Sequence, residues 1–297
     1  MSMTLEQLKI FVAVAERRHV TRAAAALGMT QSAASAAIAS LERRYGARLF
    51  DRVGRGIELT ETGRRFLPEA RRVLERASAA QSVLQDIADP ASGTVSIAAS
   101  QTIANYWLPR RLTAYHVAFP RVRLDVVIGN TRQVEKAVVE GRAELGLVEG
   151  PITHGELIRR QVDRDRLVLV VAADQPLPPE REPGRPDLAA LSWVIREAGS
   201  GTRAVLEDLA RDDGLSFQDL RIFLTLPSNE AVREAVEAGA GATIISEHVV
   251  AAAIAAGRLK SVPIDLPPRD FVLLRHPDRY AGTATRTLIG YLTSLTD

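Results

Sequence analysis

The chain has 297 residues, 46% of them hydrophobic, with 38 Lys and Arg against 36 Asp and Glu and no cysteine. That length implies two or three compact units with sizeable cores. The absence of cysteine excludes disulfide scaffolds, thiolate metal sites and cysteine nucleophiles, and no run of 18 apolar residues offers a membrane span. The opening MSMTLEQLKIF lacks the basic head and apolar core of a secretory signal, so a cytoplasmic location is expected. Charge is unevenly spread. Residues 1–65 carry 11 Lys and Arg against 6 Asp and Glu, and the remainder 27 against 30. A basic head on a slightly acidic body fits phosphate binding by the head.

Thr4-Leu5-Glu6-Gln7 reads as a capping box opening a first helix, with Leu5, Leu8, Phe11, Val12 and Ala15 at helical spacing. Residues 21–45 read as two short helices around a tight turn. The first packs through Ala23, Ala24 and Leu27, and Gly28 supplies the turn. Thr30 caps the second, in which Ala34, Ile38, Leu41 and Tyr45 face a core. Gln31, Ser32, Ser35, Ala36 and Ala39 lie opposite, a small uncharged face able to enter a major groove. An ordinary amphipathic helix with a small-residue face is the other reading of the same pattern. Residues 46–60 read as a wing turning at Val53-Gly54-Arg55-Gly56.

Phe66, Ala70, Val73, Ala77, Ala80, Leu84 and Ile87 then recur in steps of four and three, a heptad seam that ends at Asp89-Pro90-Ala91-Ser92-Gly93. A dimerising coil and a helix packed on its own domain both fit it. Beyond residue 93 strands are expected at 94–99, 123–128, 145–148, 167–172, 193–195, 222–226, 243–245 and 271–274, with helices between most of them. This alternation predicts parallel sheets wrapped by helices, and the proline-rich run 176–186 reads as a loop.

LEQLKIFVAVAE, TRAAAALGMTQSAASAAIASLERRYGARLFDR and LTETG follow one another from the N-terminus, and ELGLVEG, GSGTR and SNEAVREAVEAGAGATIIS follow later. In order and spacing they resemble the LysR-type transcriptional regulators over nearly the whole chain. One departure is Arg18-His19, where the family has Gly-Ser before the second helix. The resemblance implies an α/β protein with an N-terminal winged helix-turn-helix (1–60), a long linker and dimerisation helix (61–89) and a periplasmic-binding-protein-like effector domain (93–297). That domain would hold two subdomains, 93–162 with 268–297 and 163–267. Function as a DNA-binding regulator rather than an enzyme follows, as a homodimer or homotetramer on a pseudo-palindromic double-stranded promoter site, with no membrane role.

Base contacts are expected from Gln31, Ser32 and Ser35, and phosphate contacts from Thr30, Arg22, Arg52 and Arg55. In the body, strand ends run into helix starts at Ser100-Gln101-Thr102, Gly129-Asn130, Gly199-Ser200-Gly201-Thr202 and Ser228-Asn229. Helix capping alone explains such residues, but strand ends in open parallel sheets are also where ligands bind, and free N–H groups there favour anions. The resemblance places a small effector between Ser100 and Thr102 on one subdomain and Ser200 to Thr202 on the other, with Asn130, Asn229 and Glu149 nearby; an anion is expected. Glu149 would need a partner, such as Arg203 or Arg196.

No cofactor or metal is expected. Gly199-Ser200-Gly201-Thr202-Arg203-Ala204 fits G-x-G-x-x-A, but strand 222–226 ends in Pro227-Ser228 rather than the acidic residue a dinucleotide site needs. The five histidines lack metal-pairing spacing, and no nucleophile elbow occurs. A solute-binding protein, the remaining rival, lacks a reason for the head.

Overall fold

A computed structural model describes residues 3–53, 56–89 and 92–294. The chain divides into two compact units, the first ending at Ile87 and the second beginning at Ala88. In the first unit α1 (Leu5–Arg17) opens with the capping box: the Gln7 amide donates to Thr4 Oγ1, and the Thr4 amide to Gln7 Oε1, both at 3.2 Å. Helix α2 (Val20–Ala26) turns through Gly28, at φ +67°, into α3 (Gln31–Tyr45), whose cap Thr30 accepts from the Ala33 amide at 3.2 Å. Leu8, Phe11, Ala23, Ala24, Ala34, Ile38 and Leu41 share the core.

Three expected core positions face solvent instead: Leu5, Leu27 and Tyr45, the last 58% exposed. Each lies at a helix end, where no neighbouring element covers the outermost turn. Strands β1 (Phe50–Val53) and β2 (Gly56–Leu59) pair antiparallel as the wing, and the Ile57 amide donates to the Arg18 carbonyl. Gly54 and Arg55 lie outside the described residues, so the wing tip and the Arg55 expectation do too.

The Arg18-His19 departure has a local cost. Arg18 is the non-glycine residue with positive φ, at +50°, among the described residues, and His19 caps α2 without a side-chain hydrogen bond. Its Nδ1 is buried without a partner. Replacing Arg18 by Gly relieves the left-handed strain, and His19→Ser supplies a cap acceptor. The double substitution is expected to stabilise the first unit by about 1–2 kcal/mol, read as a higher midpoint in thermal unfolding.

Helix α4 (Glu61–Ala88) is unbroken through Pro68, its eighth residue, where the proline ring removes one intrahelical N–H donor. Its seam is split. Ala70 is fully buried and Phe66 packs on the same core, whereas Val73, Leu84 and Ile87 are 43%, 67% and 75% exposed.

The second unit holds two lobes. In the first, β3 (Gly93–Ser100) lies between β4 (Val122–Gly129) and β5 (Leu145–Glu149), all parallel, and β14 (Arg269–Arg275) and β6 (Ile158–Asp165) extend the sheet antiparallel in the order β4-β3-β5-β14-β6. In the second, β10 (Ser192–Arg196) pairs parallel with β11 (Arg221–Leu226), and β7 (Leu167–Ala172) lies antiparallel between β12 (Thr243–Ser246) and β13 (Leu259–Val262). A parallel bridge between Trp193 and Ala242 joins these two pieces. The sheets are thus mixed rather than parallel throughout. The cause is the chain path: β6 runs into β7 through Arg166, and β13 returns to β14 through residues 263–268, so strands borrowed across the crossings run backward. The run 176–186 is not wholly loop, since β8 (Glu180–Glu182) and β9 (Arg185–Pro186) form a small hairpin.

Helices cover the faces: α5 (Leu108–Ala118) and α6 (Thr131–Val139) between strands of the first lobe, α7 (Gly201–Asp212), α8 (Asn229–Glu237) and α9 (Glu247–Ala255) in the second, and α10 (Thr283–Thr293) back on the first. Trp107, Tyr115, Leu147, Phe271 and Leu288 share the first lobe's core; Leu169, Trp193, Ile195 and Leu206 share one in the second. No helix among the described residues is long and apolar enough to cross a membrane.

Candidate functional site

In the head, α3 presents Gln31 and Ser32 to solvent with Ser35 half-buried behind them. Gln31 Nε2 donates to Ser35 Oγ at 3.3 Å, and the hydroxyls of Thr30 and Ser32 lie 3.0 Å apart. These are short, neutral donors and acceptors grouped at the N-terminal turn of a helix, the part that meets base edges when a helix enters a major groove. Arg22 on α2 and Arg52 on β1 are exposed, and among the described residues neither makes an ion pair. Four residues of α3 and its cap thus stand together, with the two arginines on the flanking elements.

The second set converges where the lobes meet. Strand β3 delivers Ser100, and a single π-helical segment, Ile103–Trp107, follows Thr102. Strand β5 delivers Glu149, and the starts of α7 and α8 bring Thr202 and Asn229 from the other lobe. All four, with Ser100, are buried. Ser100 Oγ donates to Glu149 Oε2. Asn229 Nδ2 donates to Thr102 Oγ1 at 3.0 Å, so the Thr102 hydroxyl proton is free for Glu149, to which it is also hydrogen-bonded.

Arg269, at the head of β14, is the hub. Its guanidinium donates to Thr202 Oγ1 at 3.3 Å and Thr102 Oγ1 at 3.5 Å, pairs with Asp165 at 2.7 Å, and lies 3.9 Å from Glu149. Ser246 completes the Asp165 carboxylate at 2.7 Å. The partner expected of Arg203 or Arg196 is therefore Arg269. Arg203 is committed to Glu207 at 2.6 Å, and Arg196 to Glu197 at 2.8 Å and Asn229 at 2.5 Å. Asn130 joins at one remove, donating to Glu197 at 3.0 Å while capping α6. Ser200 stays apart. Its hydroxyl is spent on the Thr202 amide as the α7 cap.

Backbone contact explains the second glycine of GSGTR and the last glycine of ELGLVEG. A Cβ on Gly201 would overlap the Glu149 carbonyl, and one on Gly150 would lie 2.6 Å from the Gly201 Cα. Beside this contact Gln101 Nε2 donates to the Pro227 carbonyl at 2.8 Å, and Asn105 and Tyr106 donate to Glu230 at 3.2 and 3.0 Å. Burial and the Glu230 carboxylate push the Tyr106 phenol up to about 12.

Burial pushes the Glu149 carboxyl above its ordinary value, against the pull of Arg269 and of the Ser100 hydroxyl. A carboxyl with a raised folded pKa contributes stability that is complete below its unfolded value and lost as pH rises through the folded one. Glu149→Gln is therefore expected to raise the unfolding midpoint of the second unit above neutral pH, with the gain shrinking as pH falls into the usual carboxylate range. Midpoints measured across that range check the sign.

Among the described residues no group of three or more His, Asp and Glu could hold a metal ion. A winged helix-turn-helix followed by a two-lobed α/β body, with a polar cluster where its lobes meet, defines a DNA-binding regulator with a sensor domain. The family model of the bacterial regulatory helix-turn-helix protein, lysR family, matches residues 5–64, and that of the LysR substrate binding domain matches residues 88–296. The chain belongs to the LysR family of transcriptional regulators. It is 33% identical to the HTH-type transcriptional regulator YeiE of Escherichia coli K12 over 294 residues, covering 98% of this chain and 97% of that one. Among solved structures it resembles full-length CbnR complexed with its target DNA, with a TM-score of 0.68 at 22% identity, covering 98% and 99% of the two chains. The regulatory domain of Synechocystis CcmR in complex with 2-PG superposes with a TM-score of 0.62 at 24% identity, covering 69% of this chain and 98% of that one.

Proposed function

We propose that this LysR-type regulator reads a pseudo-palindromic promoter duplex through the paired heads of a homodimer, and that a small anion bound between the lobes alters that engagement. In this reading residues 1–60 bind DNA, 61–89 dimerise, and 93–297 sense the effector, with 93–162 and 268–297 as one subdomain and 163–267 as the other. Gln31, Ser32 and Ser35 read base edges. Thr30, Arg22, Arg52 and Arg55 hold phosphates. The observation that carries the reading is the exposed Gln31-Ser32 turn of α3, hydrogen-bonded only to its own small neighbours. Binding of the purified protein to its own upstream duplex and to a random duplex, across a salt series, tests it. A salt-dependent preference for the upstream sequence is expected, and equal binding overturns the reading.

Converging donors favour an anion. The hydroxyls of Ser100 and Thr102 converge on the Glu149 carboxylate, and Arg269 adds its charge and a bond to Thr202. A small oxyanion offers oxygens of the same kind. Asn130 and Asn229 border the same site, and Ser200 contributes only as the cap of α7. CcmR, of like fold, is solved with 2-PG in its regulatory domain, and CbnR with DNA.

Exposed Leu84 and Ile87 on α4 support dimerisation through that helix. Leu84→Glu with Ile87→Glu is expected to turn dimers into monomers by sedimentation while leaving the helical signal of the head in place. Tetramers would form through the sensor domains, whose edge strands β4 and β11 expose Val127 and Phe223 at 64% and 56%. A regulator of this kind works in the cytoplasm, where the DNA is, and binds rather than transforms its effector.

A further inference from the structure

Beside the polar network lies a cavity of about 420 Å³ that none of the site residues above fills. Its lining comes from both lobes: Gly150 and Pro151 after β5, Leu167 at the head of β7, one face of α7, and the returning crossing from Leu266 to Asp270. Pro151, Leu167, Val205, Leu209, Pro268 and Val272 give it an apolar floor. Three carboxylates stand around that floor. Asp208 and Asp212 lie one turn apart on α7, and Asp270 faces from β14. The lining cation Arg269 is turned away, bound to Asp165 and Thr202. Asp208 pairs with Arg211 at 2.7 Å and Asp270 with Arg164 at 3.4 Å, solvent-exposed pairs that exchange for another cation at little cost, and Asp270 Oδ1 also accepts from Gln161 Nε2 at 2.8 Å. The Asp212 side chain makes no hydrogen bond or ion pair among the described residues.

We propose that this cavity is a second ligand site, distinct from the Ser100–Thr202 network, for a small primary amine carried on an apolar body. The volume is that of a small-molecule site. The apolar floor rewards burial of a ring or branched chain. The carboxylates bind an ammonium through charge-assisted hydrogen bonds and repel a ligand carboxylate, so the cavity selects for the charge opposite to that of the proposed effector. Because α7 contributes Thr202 to the network at its first turn and Asp208, Leu209 and Asp212 to the cavity further on, one helix touches both ligands. The amine thereby gains a route to bias effector binding.

The test uses the full-length protein with 2-phenylethylamine at neutral pH as the probe and 3-phenylpropionate as its charge-reversed counterpart, followed by saturation-transfer NMR and calorimetry. The amine is expected to bind saturably and the carboxylate not to bind. Asp208→Asn with Asp212→Asn, which keeps the shape, weakens the amine about tenfold or more, and Ala204→Phe, which fills the cavity, abolishes it. Absence of amine binding, equal binding of the two probes, or binding that survives both variants overturns the assignment. The Asn variant decides the matter if the Phe variant fails to fold.

Discussion

Gln31→Ala combined with Ser35→Ala is expected to abolish the preference for the cognate duplex while leaving most of the affinity for random DNA. Each good contact to a base edge discriminates by about 1–3 kcal/mol, so losing both lowers specific affinity by roughly one to four orders of magnitude. Neither side chain packs in the core of the head, which is built on Ala34, Ile38 and Leu41 on the opposite face of α3. Thermal stability is therefore expected to be nearly unchanged, and that separates loss of reading from loss of fold. Arg52→Ala should behave in the opposite way. It is expected to weaken all duplexes alike and reduce the salt dependence by about one counterion, with the preference intact. If Arg52→Ala erased the preference and the double alanine variant did not, the division of labour proposed for the head would be reversed.

Arg269→Met is expected to destabilise the second unit by about 3–5 kcal/mol, because Asp165 is left buried and uncompensated. Asp165 is fully buried and its other oxygen is already taken by Ser246. The accompanying substitution Asp165→Leu should recover the part of the loss that comes from Asp165, since an apolar pair of similar volume removes that unpaired charge, while Glu149, 3.9 Å from the guanidinium, still loses its cation. The recovered double variant isolates the ligand question. It keeps the fold but lacks the guanidinium that joins Thr102 and Thr202, so sulfate or another small oxyanion titrated by calorimetry should bind far more weakly than to the unaltered protein. Undiminished binding would remove the interlobe anion site from the reading.

The head was readable because its determinants are local. A capping box, a glycine at positive φ and apolar residues three and four apart fix three helices within fifty residues. Reading failed at Tyr45, where helical spacing continues one turn past the end of the core. In the body, strands announced themselves by apolar, β-branched runs, in the largely exposed edge strands β4 and β11 as in the buried ones. Strand β6 did not, because Ile-Arg-Arg-Gln-Val-Asp-Arg-Asp holds no such run and buries only Val162 and Asp165. The direction of pairing was invisible, since β14 reaches its neighbours from the far end of the chain. Small polar residues at strand ends marked Ser100, Thr102, Thr202 and Asn229, all of which enter one network. Arg269 left no such mark. It is 167 residues from Thr102 and 67 from Thr202, and only the crossings between lobes bring the three together.

Strand β14 sits between β5 and β6, and β6 pairs with nothing else in its sheet. A ribosome making this protein has therefore released every strand of the second lobe before the first lobe can close. Until Arg269–Arg275 emerges, β5 shows an open edge and β6 has no sheet to join. Assembly of the body runs from its middle outward, and the segment that completes it also brings Arg269. A nascent chain halted short of that segment presents a finished lobe beside an unfinished one, and the unfinished one is where chaperones and proteases would find their hold.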